Sequence, residues 1–360
     1  MQSNPYMPNT SMLISPQVQN RALQQQLLQQ QVLHQQFPQQ STGISSGLSP
    51  NTPIREVWGN NLHNEMMLIR ELVGQYNHVA LSVEFCGIAG RPIGTFRSIH
   101  DFHYQTMRVN TDILNIVQLG LTLCDKDGKT PDGVPSSWQF NFKFDLDNEM
   151  YPYDSIDPLV QAGIDFNKTK EFGIEVSEFA ELLIDSGLLL LPDVHWISYH
   201  AGYDFGFLIS CLTNKLMPNN ENDFQWWLNT YFPNCYDIKY IAKVLRSKTN
   251  NGNAASSKLS LELLAEELGI VRPGQLAYGG AIQVGSLAVL TSLCFSKLKR
   301  IMGEKSVDAQ KNIIFGFDNL GKEVDESVQM SNSGNGMDTP GAQHIPLVGE
   351  ALRGVPNYYR

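Results

Sequence analysis

Four apolar runs of strand length constrain this chain more than any other feature. Val79-Ala80-Leu81-Ser82-Val83-Glu84-Phe85 and residues 116–124 and 138–144 stand ahead of most helical runs. The fourth, residues 194–199, leads straight into His200-Ala201-Gly202-Tyr203-Asp204-Phe205-Gly206-Phe207. The turn-rich stretch 125–137 between the second and third runs predicts a hairpin beside the first strand. Residues 54–76 carry Val57, Leu62, Met66, Ile69, Leu72 and Val73 at helical spacing, which predicts a leading helix. Further helical runs cover 177–186, 205–212, 223–231, 259–268 and 284–302. Strands first and helices afterwards predict an α/β fold, a mixed sheet flanked by helices, rather than a strict Rossmann alternation. Ser256-Ser257-Lys258-Leu259-Ser260-Leu261-Glu262 carries helix-start chemistry after a polar loop over 248–257, which is expected to be exposed and mobile.

The chain has 360 residues, 42% of them apolar, enough for one large core or two smaller ones. Residues 1–53 are rich in Gln, Ser, Asn and Pro, densest in Gln over 24–40, and read as a disordered leader. Leu23, Leu27 and Leu28 leave room there for a transient helix. Residues 321–360 read as a second disordered tail, so the globular unit is expected over 54–320. A net charge of −10 argues against a broad polyanion-binding surface. Any nucleic acid would be gripped locally, through metal ions and a narrow groove. Cys86, Cys124, Cys211, Cys235 and Cys294 are scattered, lack close Cys-x-x-Cys spacing, and read as buried reduced thiols of a cytosolic or nuclear protein. No run has the roughly 18 apolar residues of a membrane span, and the first residues lack a secretory signal pattern, so no membrane association is expected.

Two carboxylates stand where a sheet edge can use them. Asp204 opens the helical run after the fourth strand, and Glu84 lies on the first strand. Two-metal phosphoryl chemistry needs several carboxylates converging on ions about 3.5–4 Å apart. Strand acids at i and i+2 suit it because they share a face. Here that pair is Ser82 and Glu84, with a hydroxyl where a second acid would serve; an ordinary strand with a polar face has the same pattern.

Six blocks carry more information. Ile54-Arg55-Glu56-Val57-Trp58, Glu84-Phe85-Cys86-Gly87, Arg91-Pro92-Ile93-Gly94-Thr95-Phe96-Arg97-Ser98, Gln118-Leu119-Gly120-Leu121, Trp138-Gln139-Phe140-Asn141-Phe142 and His200 to Gly206 closely resemble, in order, the Caf/Pop-type deadenylase subunit of the CCR-NOT complex. The resemblance covers about 54–320, and the glutamine-rich leader resembles fungal members. It implies a ribonuclease-D/ribonuclease-H-like fold. It also implies an active-member chemistry in which poly(A) tails are shortened from the 3′ end with two divalent ions, Mg²⁺ or Mn²⁺, held by four acids and assisted by a histidine. By the same resemblance Glu84 and Asp204 are the retained acids and metal ligands. Ser82 replaces the first acid of the Asp-x-Glu-Phe motif. In Gln283-Val284-Gly285-Ser286-Leu287, Leu287 replaces the fourth acid and Ile282 stands at the histidine position.

Three of five catalytic groups are therefore substituted. Leucine and isoleucine neither coordinate a hard cation nor accept a proton, and loss of general-base help alone costs roughly 10²–10⁴-fold in rate. The expectation is weak or absent intrinsic hydrolysis in a subunit that bridges the NOT scaffold and a second deadenylase bearing a leucine-rich-repeat segment. The competing expectation is a fully active Mg²⁺-dependent 3′-to-5′ poly(A)-specific exoribonuclease. The resemblance also implies poly(A) mRNA as substrate and a place in cytoplasm and nucleus.

Other features have plainer readings. His100 and His103 have metal-pair spacing but no further ligand candidates nearby, and read as part of a polar or core segment. Phe224, Trp226, Trp227, Tyr231 and Phe232 could stack bases but suit core packing or a protein interface better. Asp145, Asp147 and Glu149 fall short of an EF-hand loop, and Lys297, Lys299 and Arg300 complement a helix end.

Overall fold

The computed structural model describes residues 54–249, 260–270 and 283–317. The expected leader, the tail, Ile282 and most of the polar loop over 248–257 lie outside the described residues. The first runs form a sheet because each buries at least one whole face. Its order is β1-β4-β3-β2-β5-β6, with β1 Ile54–Val57, β2 His78–Phe85, β3 Ile116–Cys124, β4 Ser137–Asn141, β5 His195–Ser198 and β6 Asn234–Asp237. β2 pairs antiparallel with β3, and β3 with β4, which is the expected hairpin. β1 joins β4, β5 joins β2 and β6 joins β5, all in parallel.

The leading helix is shorter than its periodicity predicts. Ile54–Val57 is an edge strand, and only Leu62–Leu72 (α1) is helical. The separation is local: the Trp58 N–H donates to Asn61 Oδ1 at 2.7 Å, a side-chain turn that competes with continuing helix. The third strand also stops early. The Phe142 N–H donates to Val117 O, the Lys143 N–H donates to Ile174 O at 2.9 Å, and Phe142 bridges to Ile174, so the chain leaves β3 for a new partner.

The remaining helices are α2 Ile99–Ile113, α3 Ile156–Gln161, α4 Phe166–Phe172, α5 Val176–Asp185, α6 Gly202–Thr213, α7 Glu221–Tyr231, α8 Ile238–Thr249, α9 Leu261–Glu267, α10 Val284–Met302 and α11 Glu304–Asp308. The helix-start chemistry predicted near 256–262 acts at Ser260, whose hydroxyl accepts from the Leu263 N–H. α2, α8 and β6 were not expected as elements.

The two faces of the sheet carry different layers. Leu81, Val83 and Phe85 of β2 join Phe205, Phe207 and Leu208 of α6 in the main core. The alternate residues Ser82 and Glu84 point to the other face, where α10 crosses β3 and β2. Gly120, the register partner of Ser82, makes room for α10: a Cβ there would lie 2.2 Å from the Val284 carbonyl oxygen.

Candidate active site

β2 delivers Ser82 and Glu84, and the turn after β5 delivers Asp204. That turn is tight. His200 takes a left-handed backbone (φ 60°), and the His200 and Ala201 N–H groups donate to Asp237 at 3.0 and 2.9 Å. Lys239 and Phe315 N–H groups complete the set on this fully buried carboxylate at the end of β6. With four backbone donors engaged, Asp237 acts as a clamp that fixes where α6 begins. Burial raises its pKa, against the pull of those donors. Sequence reasoning missed it, because an acid whose partners are backbone groups leaves no spacing signature.

Asp204 sits in the first turn of α6 and reaches β2 directly: the Val83 N–H donates to its Oδ1 at 3.2 Å. Ser198, closing β5, donates its hydroxyl to Oδ2. Asp204 is therefore held beside the strand segment that carries Ser82 and Glu84, so these three predicted residues are brought together. Glu84 and Asp204 are both buried and Ser82 is half-buried. Burial pushes the Asp204 carboxyl up to about 8, against the Ser198 and Val83 bonds and with the nearby charge of Asp237. A cation would favour its ionised form.

Leu287 lies in the first turn of α10, which Gly285 and Gly120 let settle onto the sheet. Its side chain packs half-buried against the apolar cluster of Ile197, Tyr236 and Leu290. No donor atom comes from that position. Among the described residues no group of three His, Cys, Asp or Glu could hold a metal ion. Glu84 and Asp204 would offer two hard oxygen ligands of the kind that hold one Mg²⁺ whose shell is completed by water or phosphate oxygens.

The other candidates are placed elsewhere. His100 lies on α2 and bonds through Nδ1 with the Gly316 carbonyl at 2.9 Å, so the segment following Ser98 is a fifteen-residue helix. Phe224 and Phe232 are core residues, while Trp226 is 59% exposed beside Trp227, which stacks on Tyr231. Asp145 ends in an ion pair with Lys170. Lys299 bonds to the Lys126 carbonyl and Glu304 at the end of α10. All five cysteines are free; burial pushes the thiols of Cys86, Cys124 and Cys211 up to about 12, 11 and 12. Among the described residues no helix is long and apolar enough to cross a membrane.

The chain is similar to known proteins in sequence and in fold. The family model described as CAF1 family ribonuclease matches residues 57–181 and 179–275. The chain is 46% identical over 274 residues to poly(A) ribonuclease POP2 of Saccharomyces cerevisiae, covering 74% of this chain and 63% of that protein's length. It is 40% identical over 315 residues to poly(A) ribonuclease pop2 of Schizosaccharomyces pombe, covering 87% and 88%. A solved S. pombe Pop2p structure, in an Mg²⁺- and Mn²⁺-bound form, superposes with a TM-score of 0.65 at 41% identity, covering 73% of this chain and 99% of that one. A yeast NOT1 MIF4G domain crystallised with CAF1 gives a matching CAF1 chain, with a TM-score of 0.61 at 41% identity and coverage of 74% and 99%. The mixed sheet flanked by helices is thus a ribonuclease-D-like fold, and the chain belongs to the CAF1 ribonuclease family.

Proposed function

We propose that this protein is a Caf/Pop-type subunit of a CCR-NOT complex, acting in the shortening of mRNA poly(A) tails with weak or absent hydrolysis of its own. Its similarity to Pop2 ribonucleases and to a CAF1 chain solved with NOT1 supports the assembly role. One observation carries the catalytic part: the α10 position facing the sheet is Leu287, packed among apolar neighbours, so the pocket has two carboxylates rather than four. In this reading the globular unit spans 54–320, the NOT scaffold and a leucine-rich-repeat deadenylase are partners, and the protein works in cytoplasm and nucleus.

Glu84 and Asp204 would hold a single Mg²⁺ or Mn²⁺, which supplies charge to a phosphate oxygen and acidifies a bound water. Ser198 and the Val83 N–H aim the Asp204 carboxylate toward β2. Ser82 offers only a neutral hydroxyl, and no described residue supplies a second pair of hard ligands. A lone ion leaves the charge on the leaving oxygen without the second stabiliser of a two-metal site.

Purified protein incubated with labelled oligo(A) at saturating Mg²⁺ or Mn²⁺ tests this. Shortening should be slow, and the Ser82→Asp, Ile282→His, Leu287→Asp triple variant should raise it by about 10²-fold or more. Fast shortening by the wild type that Glu84→Ala abolishes would establish the fully active enzyme instead. Capture of a purified NOT1 MIF4G domain tests the assembly role separately.

A further inference from the structure

Two rows of side chains cross the sheet on the face that carries Ser82 and Glu84. Register places Ser82, Gly120, Gln139 and Glu56 in one row, and Glu84, Gln118 and Asn141 in the next. Gln118, Gln139 and Asn141 are all buried, whereas Glu56 lies exposed on the edge strand β1. Both rows end on that one carboxylate. Gln139 donates through Nε2 to Glu56 Oε1 at 2.9 Å, and Asn141 donates through Nδ2 to Glu56 Oε2 at 2.7 Å.

The direction of these bonds follows from chemistry rather than from placement of amide atoms. An ionised carboxylate only accepts, so Gln139 and Asn141 must turn their NH₂ groups toward Glu56 and their carbonyl oxygens away. Asn141 Nδ2 is held the same way by the Val57 and Gln139 carbonyls, at 3.1 and 3.3 Å. The Gln139 oxygen then accepts from the Gly285 N–H at 3.1 Å, a donor in the first turn of α10 that can take no other role. The Asn141 oxygen accepts from Gln118 Nε2 at 2.6 Å. With its NH₂ group turned toward Asn141 on β4, Gln118 has its carbonyl oxygen on the opposite side of the amide, in the row whose next member is Glu84.

We propose that Glu56 is a remote positioning residue of the active site. Its carboxylate accepts from both arms of a buried amide relay and, with the Val57 carbonyl, holds the direction that seats the first turn of α10 and turns the Gln118 acceptor oxygen toward the row of Glu84. That oxygen is placed to accept a hydrogen bond from a water ligand of the cation. The last step rests on the reading above, in which Glu84 and Asp204 hold a hard cation. Outer-shell partners of metal ligands typically alter affinity about 10–100-fold when removed.

The test uses the full chain and Mn²⁺ alone, titrated with paramagnetic detection, beside amide hydrogen exchange at Gly285 and thermal melting. Glu56→Gln keeps the shape but has one oxygen and one NH₂ group, so one of the two amides loses its acceptor and faces a donor. It should weaken Mn²⁺ binding about 10-fold and speed Gly285 exchange while the melting temperature stays close to wild type. Gln118→Met cuts only the far end; it should weaken Mn²⁺ binding and leave Gly285 exchange unchanged. Unaltered Mn²⁺ affinity in both variants overturns the positioning role, whatever happens to exchange. If the wild type and Glu84→Ala take up Mn²⁺ equally poorly, the cation reading falls; Gly285 exchange then decides alone, with faster exchange in Glu56→Gln supporting the relay and unchanged exchange refuting it.

Discussion

At the scale of single residues, the site depends on one that contributes no side chain. The atoms nearest a Cβ on Gly120 would be the Val284 carbonyl oxygen and carbon and the Gly285 nitrogen, at 2.2, 2.6 and 2.9 Å. All three are backbone, so no rotamer change relieves the clash. Gly120→Ala is expected to lower stability by about 1–3 kcal/mol, read as a lower denaturant midpoint, by pushing the start of α10 off the sheet. Little at this scale beyond the motif itself was legible in the sequence. The proposed replacements at Ser82 and Leu287 could be read because each sits inside a recognisable block. Asp237 could not, since its partners are the N–H groups of His200, Ala201, Lys239 and Phe315, and backbone groups are the same in every sequence. Glu56 lay inside a quoted block, but its role depends on register across three strand pairings, which local pattern does not encode.

Among the elements, α10 kept its expected bounds because its apolar residues recur at helical spacing along nineteen residues. α2 escaped notice for the opposite reason: much of its buried face is polar. Thr106, Asn110 and Thr111 are buried there. Asn110 repays its burial by bonding the chain that leaves β2. Its Oδ1 accepts from the Ala89 and Gly90 N–H groups, and its Nδ2 donates to the Gly90 carbonyl, each at 2.8 Å, and to the Thr106 carbonyl at 2.7 Å. This ties α2 to the segment just past Glu84. Removing one side of a buried bond leaves the other group unsatisfied at about 1–3 kcal/mol. Asn110→Ala should therefore cost about 3 kcal/mol or more, against about 1 kcal/mol for Ser98→Ala, which removes only the N-cap bond from Asp101. Chemical denaturation of both variants checks the order; a larger loss from the cap would mean that the Asn110 network is not formed. β6 was missed because four residues are too few to show a period, whereas α8 carries Ile238, Ile241, Ala242 and Leu245 at helical spacing within twelve residues, a signal that sequence reasoning passed over.

Across the whole molecule, the two ends of β2 carry opposite electrostatic loads. Near its end, next to Glu84, the Val83 N–H donates to Asp204; at its start His78 stacks on His195 with ring centres 4.5 Å apart. Asn77 bonds His78 Nδ1 at 3.0 Å and the Tyr236 hydroxyl lies 3.4 Å from His195 Nδ1. Burial pushes His78 down to about 3, with the neighbouring charges of His195 and Lys299 acting in the same direction. His195 is lowered too, by burial first and then by Lys299 and Lys311, against Asp308 and Asp193. His78 stays neutral in the folded protein down to about pH 3, whereas the unfolded chain takes up its proton below about 6.5. Its contribution is thus fully present above about 6.5 and is lost as the pH falls toward 3, and His195, lowered too, adds to it in the same direction. Asp204 acts in the opposite sense without a cation. Its folded carboxyl at about 8 binds a proton that the unfolded chain has released above about 4, so its slope opposes the histidine slope between about 4 and 6.5 and continues without it from there to about 8. Over the lower window the pH profile of the metal-free protein should therefore be flatter than either group implies. A comparison with His78→Phe isolates one term, since Phe keeps the stack on His195 and cannot take a proton. Relative to wild type, that variant should gain about 1.4 kcal/mol for each pH unit below 6.5, down to the folded pKa. Thermal or urea unfolding of both proteins at pH 7.5, 5.5 and 4.5 measures the difference; a gap that does not widen on acidification would mean that His78 is protonated in the folded state and that this end of the sheet is wetter than its packing implies.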